Sequence, residues 1–190
     1  LFAGLSFRVD PGTLLHVQGH NGSGKTTLLR ALCGLLTPDA GSIRWNGRDT
    51  DGLREDYHRD VLYFGHLNGI KSDLTGIENL RISAALDGDH VAEEKVWDAL
   101  ARMGLAGFED LPTKVLSQGQ KKRVALARLL LSDAPLWILD EPFTALDVHA
   151  VELLQQLIAG HVAGGGITVL TTHQEVPLTS GQIQRIRLGA

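Results

Sequence analysis

Gly19-His20-Asn21-Gly22-Ser23-Gly24-Lys25-Thr26 fits the pattern G-x-x-x-x-G-K-[ST] and stands between two segments of different hydrophobic period. Before it, residues 14–18 read as a short strand. After it, Leu28, Leu29, Leu32, Leu35 and Leu36 recur at helical spacing, and Pro38 follows the expected helix end. Strand, glycine-rich loop and helix in that order separate a phosphate site from a glycine-rich turn that happens to end in Lys-Thr. The glycines let successive backbone N–H groups curl inward around an anion, where a Cβ would obstruct the turn. The helix that follows directs its unsatisfied N–H groups and the positive end of its dipole to the same place. Lys25 supplies a mobile positive charge for the β- and γ-phosphate oxygens, and Thr26 a hydroxyl for Mg²⁺.

Farther along, residues 136–139 form an apolar run that ends in Asp140-Glu141, and Pro142 stops the strand. Ligands of parallel α/β sheets gather at the carboxyl ends of strands, so both acids are expected beside the phosphate loop. Adjacent residues on a strand point in different directions, which permits two roles. Asp140 can reach a Mg²⁺ shell, while Glu141 can orient or deprotonate a water. Loop, lysine and acidic strand end together predict a Mg²⁺-dependent nucleotide hydrolase.

Composition narrows the rest. The chain has 190 residues, a formal net charge of −4 and 43% hydrophobic residues, enough for one domain with a sizeable core or a compact domain with a small subdomain. That charge argues against a protein that holds nucleic acid mainly electrostatically. The single cysteine, Cys33, excludes an internal disulfide framework, and its place on the apolar helix makes it a small core residue. No apolar run approaches the roughly 20 residues a bilayer crossing requires, so the chain is not expected to cross a membrane itself. It opens at Leu1 rather than Met, inside an alternating pattern at 5–9, which predicts a natural start upstream. Further strands are expected at 42–45, 61–64, 167–170 and 183–188. A solvated connection is expected at 46–60, helical character from about 78 to 131, and a helix at 148–159. Within the helical stretch, Trp97 and Met103 read as packing residues. Strands separated by helices predict an α/β fold with a parallel sheet.

Leu116-Ser117-Gln118-Gly119-Gln120, ahead of a helix expected at 121–131, resembles the signature sequence of the ATP-binding cassette (ABC) family. Thr144-Ala145-Leu146-Asp147 resembles that family's D-loop, and His173 its switch histidine. The resemblance spans essentially the whole chain. It implies a phosphate-loop nucleotidase fold with a RecA-like core, a small antiparallel β region and a helical subdomain, in one domain over 1–190. It also implies that Gly19, His20, Asn21, Gly22, Ser23, Gly24, Lys25, Thr26 and Thr27 bind ATP, with Thr26 and Asp140 on Mg²⁺. Glu141 is then the catalytic base, and His173 contacts the γ-phosphate. Two cassettes of this family pack head to tail, so Ser117, Gln118, Gly119 and Gln120 would act on the partner's nucleotide, with Asp147 at the same interface. A second ATPase subunit, expected to be another copy, and an integral membrane permease are the implied partners; nucleic acid is not. A cassette acting on nucleic acid or ribosomes would carry coiled-coil insertions or a tandem cassette, and this chain has neither.

Three positions depart from the family pattern. Gln118 stands where glycine is usual. The Q-loop glutamine falls near Phe64-Gly65-His66-Leu67, where His66 is the polar substitute. The adenine-stacking aromatic is expected upstream of the chain, Phe2 being poorly positioned for it. Several strings are similar to the ATP-binding subunits of bacterial cytochrome c biogenesis (haem exporter) systems: 1–7, 65–66 with 69–71, 104–110, 116–120, 137–148 and 171–174. That likeness implies a peripheral subunit on the cytoplasmic face of a bacterial inner membrane, driving haem export or the release of a haem-loaded chaperone. An exporter of another small substrate or a lipid is the alternative. His58, His90, His149 and His161 lack paired ligands in the sequence and read as scattered surface histidines, and Lys121-Lys122-Arg123 as a solvated face. For Lys25→Ala we expect nucleotide affinity to be lost and the melting transition retained; unaltered ATP binding by that variant would contradict the phosphate site.

Overall fold

The computed structural model describes residues 2–53, 55–88, 90–173 and 181–189; Leu1 and Gln174, which belong to two of the strings above, lie outside them. The chain divides into two compact units. The first comprises Leu1–Gly65, Ala134–Pro142 and Ile158–Ala190, and the second His66–Asp133 and Phe143–Leu157.

The first unit is built on a five-stranded sheet. Its strands are β1 (Thr13–Gln18), β4 (Val61–Phe64), β5 (Leu136–Asp140), β6 (Ile167–Thr171) and β7 (Gln182–Arg187), in the order β4-β5-β6-β1-β7. Every pairing in it is parallel. β5 and β6 are buried at every position, the pattern of strands covered on both faces. Helix α1 (Lys25–Leu32) leaves the loop after β1 and lays Leu28 and Leu29 into a core with Leu15, Val17, Ile138, Val169 and Leu188. Cys33, at its C-cap, is buried there, and burial pushes its thiol up to about 12. This unit also contains a two-stranded antiparallel pair, β2 (Arg44–Trp45) and β3 (Arg48–Asp49).

The second unit is helical. Helices α4 (Gly76–Leu86), α5 (Glu93–Arg102) and α6 (Gln118–Leu126) pack together, with 3₁₀ turns at Thr113–Val115 and Ala127–Leu130. Thr75 opens α4 with a reciprocal capping box: its hydroxyl accepts from the Glu78 N–H while Glu78 accepts from the Thr75 N–H. The amphipathic face of α5 buries Val96, Ala99 and Leu100, and Met103 just beyond it is also buried. Trp97 lies off that face, 37% exposed, rather than packing inside. Helix α7 (Val148–Ala163) begins in this unit and ends in the first.

Several expectations change. Leu5, Phe7 and Val9 do pack against the first core, but residues 5–9 form no strand, because no described segment offers them a backbone ladder. The stretch 46–60 is structured: it holds β3 and the short helices α2 (Thr50–Leu53) and α3 (Glu55–Arg59). Buried Tyr57 donates its hydroxyl to the Leu32 carbonyl, and Trp45 Nε1 donates to Asp60 Oδ2 at 2.7 Å. Lys121-Lys122-Arg123 is not a solvated face, since Lys122 is buried and Arg123 turns back to donate to the Met103 carbonyl at 3.4 Å. α6 starts three residues earlier than the sequence suggested because Ser117 caps it, and it tightens into a 3₁₀ turn before 131.

His161 is not a surface histidine either. Its ring stacks on Trp137 with centroids 3.9 Å apart and planes 5° off parallel, and Nε2 lies 3.3 Å from the Ile167 carbonyl. Burial lowers its pKa from 6.5, against the opposing pull of the Ile167 and Pro135 carbonyls. The folded chain therefore keeps this ring neutral where the unfolded chain protonates it. Its contribution to stability is complete above pH 6.5 and is lost as pH falls below that value. His161→Phe keeps a flat ring on Trp137 and removes the titration. Between about pH 8 and about pH 5.5 the urea midpoint should fall further in the wild type than in this variant; equal falls would refute the assignment.

Candidate functional site

In the first unit the phosphate loop turns between the end of β1 and α1. Gly19 is required by close approach, because a Cβ there would lie 2.4 Å from Ser23 Oγ and 2.8 Å from the Leu188 carbonyl. Gly24, with φ 97° and ψ 12°, is the left-handed N-cap of α1, a conformation L side chains resist. His20, Asn21 and Gly22 form the exposed outer turn, partly buried Gly19 leads into it, and Ser23 is buried beneath it. His20 holds its shape through Nδ1, 2.8 Å from the Asn21 carbonyl. Lys25 is buried on the inner side, with Nζ donating to the Gly19 carbonyl at 2.8 Å and the His20 carbonyl at 3.2 Å. Thr26 and Thr27 follow in the first turn of α1.

Asp140, the last residue of β5, is 2% exposed. Two hydroxyls donate to it: Thr26 Oγ1 to Oδ2 at 2.8 Å and Thr171 Oγ1 to Oδ1 at 2.6 Å. The Thr26 hydroxyl and the Asp140 carboxylate thus bring two hard oxygen donors together, a set suited to Mg²⁺. Among the described residues no group of three His, Cys, Asp or Glu side chains is placed to hold a metal ion. A cation here would draw its remaining ligands from phosphate and water, the usual habit of Mg²⁺.

Glu141 sits one residue on with φ 52°, a left-handed conformation rare outside glycine. The turn separates its side chain from that of Asp140. His173 N–H donates to Glu141 Oε2 at 3.2 Å, and His173 Nε2 lies 3.5 Å from Oε1, so carboxylate and histidine are in contact. Behind them, His16 on β1 feels the Thr172 backbone and the Glu141 carboxylate, both of which favour its protonated form. Burial outweighs them and lowers its pKa, with Arg185 adding in the same direction.

Ser117 and Gln120 belong to the second unit, where they cap α6: Ser117 Oγ accepts from the Gln120 N–H at 3.2 Å, and Ser117 N–H donates to Gln120 Oε1 at 2.9 Å. Ser117 and Gln118 are exposed at the helix start. Gly119 leaves room for the Ala145 carbonyl, which a Cβ would meet at 3.1 Å. Asp147 caps α7 by accepting from the Ala150 N–H at 2.9 Å, and its other oxygen lies 3.8 Å from Arg123 Nη1. His66 and Leu67 are exposed at the start of this unit, and Phe2 packs against the core of the other.

Sequence reasoning missed Thr171 and His16. The available signal for the first was a polar residue ending an otherwise apolar strand two positions before His173; for the second, a histidine inside a buried strand.

A family model described as ABC transporter matches residues 2–144. The chain is 54% identical over 189 residues to the cytochrome c biogenesis ATP-binding export protein CcmA of Dechloromonas aromatica, covering 100% of this chain and 93% of that protein. It is 56% identical over 188 residues to the protein of the same name from Nitrosospira multiformis, covering 99% and 91%. A solved structure described as the ATP-binding subunit of an ABC transporter superposes with a TM-score of 0.83 at 30% identity, over 97% of this chain and 80% of that one. Another, described as the dimer of a bacterial ABC transporter cassette, gives 0.78 at 26% identity over 95% and 84%.

Proposed function

The chain belongs to the ABC transporter family and is one of its ATPases, and from that premise we propose that it is the ATP-hydrolysing subunit of a complex for cytochrome c biogenesis. The observation that carries this reading is the similarity, over essentially the whole chain, to export proteins of that process. On this reading residues 1–190 make one cassette domain with its helical subdomain at about 78–131. The subunit is peripheral, on the cytoplasmic face of a bacterial inner membrane. Its membrane permease supplies the path for haem, or the docking site from which a haem-loaded chaperone is released.

Gly19, His20, Asn21, Gly22, Ser23 and Gly24 wrap ATP phosphates with backbone N–H groups, and Lys25 exchanges its two carbonyl partners for phosphate oxygens. Thr27 adds a hydroxyl in the same turn. Thr26 and Asp140 hold Mg²⁺, which when bound neutralises charge on the phosphates. Glu141 accepts the proton of the attacking water, and His173, in contact with that carboxylate, orients it and reaches the γ-phosphate. Ser117, Gln118, Gly119 and Gln120 at the start of α6 present a second anion-binding helix end. Acting across a head-to-tail pair of copies, they complete the partner's site, with Asp147 at the same interface. Closure of that pair on ATP is the movement passed to the permease.

Glu141→Gln should lower turnover by about 10²–10⁴-fold and accumulate an ATP-bound dimer on size-exclusion chromatography. A wild type with no Mg²⁺-dependent hydrolysis, even with its membrane partner, would instead make the chain a binding module. The substrate assignment is decided by co-purification: a permease unconnected with cytochrome c maturation would favour an exporter of another small molecule or lipid.

A further inference from the structure

Thr171 ends β6, the strand that lies between β1 and β5 in the sheet. In register it is flanked by Val17, two residues before the phosphate loop, and by Asp140. Its side chain is 0% exposed. A threonine hydroxyl has one proton to give and lone pairs to accept with, and here both capacities are used. The proton goes to Asp140 Oδ1 at 2.6 Å, and the oxygen accepts the Glu141 N–H at 3.0 Å, an N–H also 3.2 Å from the Thr171 carbonyl. The bond to Asp140 is short for an O–H donor, as bonds to carboxylates are. The acceptor bond fastens the backbone of Glu141 at the point where φ is 52°, a left-handed conformation that a residue with a Cβ rarely adopts.

From these contacts we infer that Thr171 is a positioning residue for ATP hydrolysis: its hydroxyl fixes the Asp140 carboxylate and the Glu141 turn relative to each other, so that one acid faces the cation and the other the water. This rests on the roles proposed above for those two acids. β-Propensity alone does not explain the residue, because valine or isoleucine would fill a fully buried strand end without a hydroxyl to satisfy. Thr171 acts through Asp140 Oδ1 and the Glu141 N–H.

Thr171→Val keeps the shape and removes the hydroxyl, while Thr171→Ser keeps the hydroxyl and removes the methyl. With the chain assembled on its membrane partner, the valine variant should turn over ATP about 10- to 100-fold more slowly, the range of a lost charge-assisted hydrogen bond, with KM for ATP within about threefold of wild type. A second readout needs no turnover: the Mg²⁺ concentration that half-saturates binding of a fluorescent ATP analogue should rise about three- to tenfold in the valine variant. The serine variant should stay within about threefold of wild type in both. Wild-type turnover and wild-type Mg²⁺ dependence in the valine variant would overturn the inference, as would a serine variant as impaired as the valine one. Should valine prevent cooperative melting, serine and alanine at 171 differ by the hydroxyl alone, and equal behaviour of those two would overturn it too. If the wild type hydrolyses no ATP, the functional reading fails and the hydrolytic role of Thr171 with it, while the Mg²⁺ titration still decides whether its hydroxyl positions Asp140 for the cation. If the wild type is active and the valine variant unaffected, only Thr171 loses its role.

Discussion

A carboxyl group that is 2% exposed cannot be left without partners, and Asp140 obtains them from two different parts of the chain. One is Thr26, in the first turn of the helix after the phosphate loop; the other is Thr171, at the end of the neighbouring strand. The sheet order makes both possible. Because β6 lies between β1 and β5, the ends of three strands reach one edge of the sheet together, and the loop, the acids and His173 are all attached to those ends. Shifting β6 by one residue would turn the Thr171 side chain to the opposite face. The parallel register of β5 on β6 is therefore as much a part of the site as the loop itself.

The backbone conformations around this point follow the same logic. Among the described residues only Asn46, Glu141 and Ala145 adopt positive φ without being glycine, and two of these three lie just past β5. Such conformations persist where the surroundings over-determine them. At Glu141 the surroundings are visible: two acceptors on Thr171 for the backbone N–H, and two contacts from His173 to the carboxylate. In the second unit, Ala145 turns its carbonyl toward Gly119, so the loop before α7 and the start of α6 approach closely where a Cβ at residue 119 would crowd that carbonyl at 3.1 Å.

Features set by local spacing are legible in the sequence itself. The glycine-rich loop, the apolar strand with two terminal acids and the serine-capped signature helix each occupy a few consecutive residues, and each has a local physical reason. What escaped depends on distant neighbours. Residues 5–9 alternate as a strand should, yet alternation reports a buried face and not a ladder partner. The polar run 46–60 hides Tyr57, whose burial is decided by α1. Lys122 and Arg123 read as solvated because charge is normally outside, whereas α6 is covered on that side. His161 and Thr171 needed the position of a second strand before either had a reason to be where it is.

The stack of His161 on Trp137 has a consequence for how this chain can vary. Gly166 adjoins the ring so closely that a Cβ there would fall 2.3 Å from His161 Nε2, nearer than any real side chain tolerates. Positions 137, 161 and 166 therefore form one mutational unit rather than three independent sites. An alanine at 166 would force the imidazole out of its stacked position and is accommodated without that shift once 161 carries a small side chain, which in turn uncovers the indole. Substitutions at these positions are epistatic, and the order in which they arise decides which of them the fold can accept.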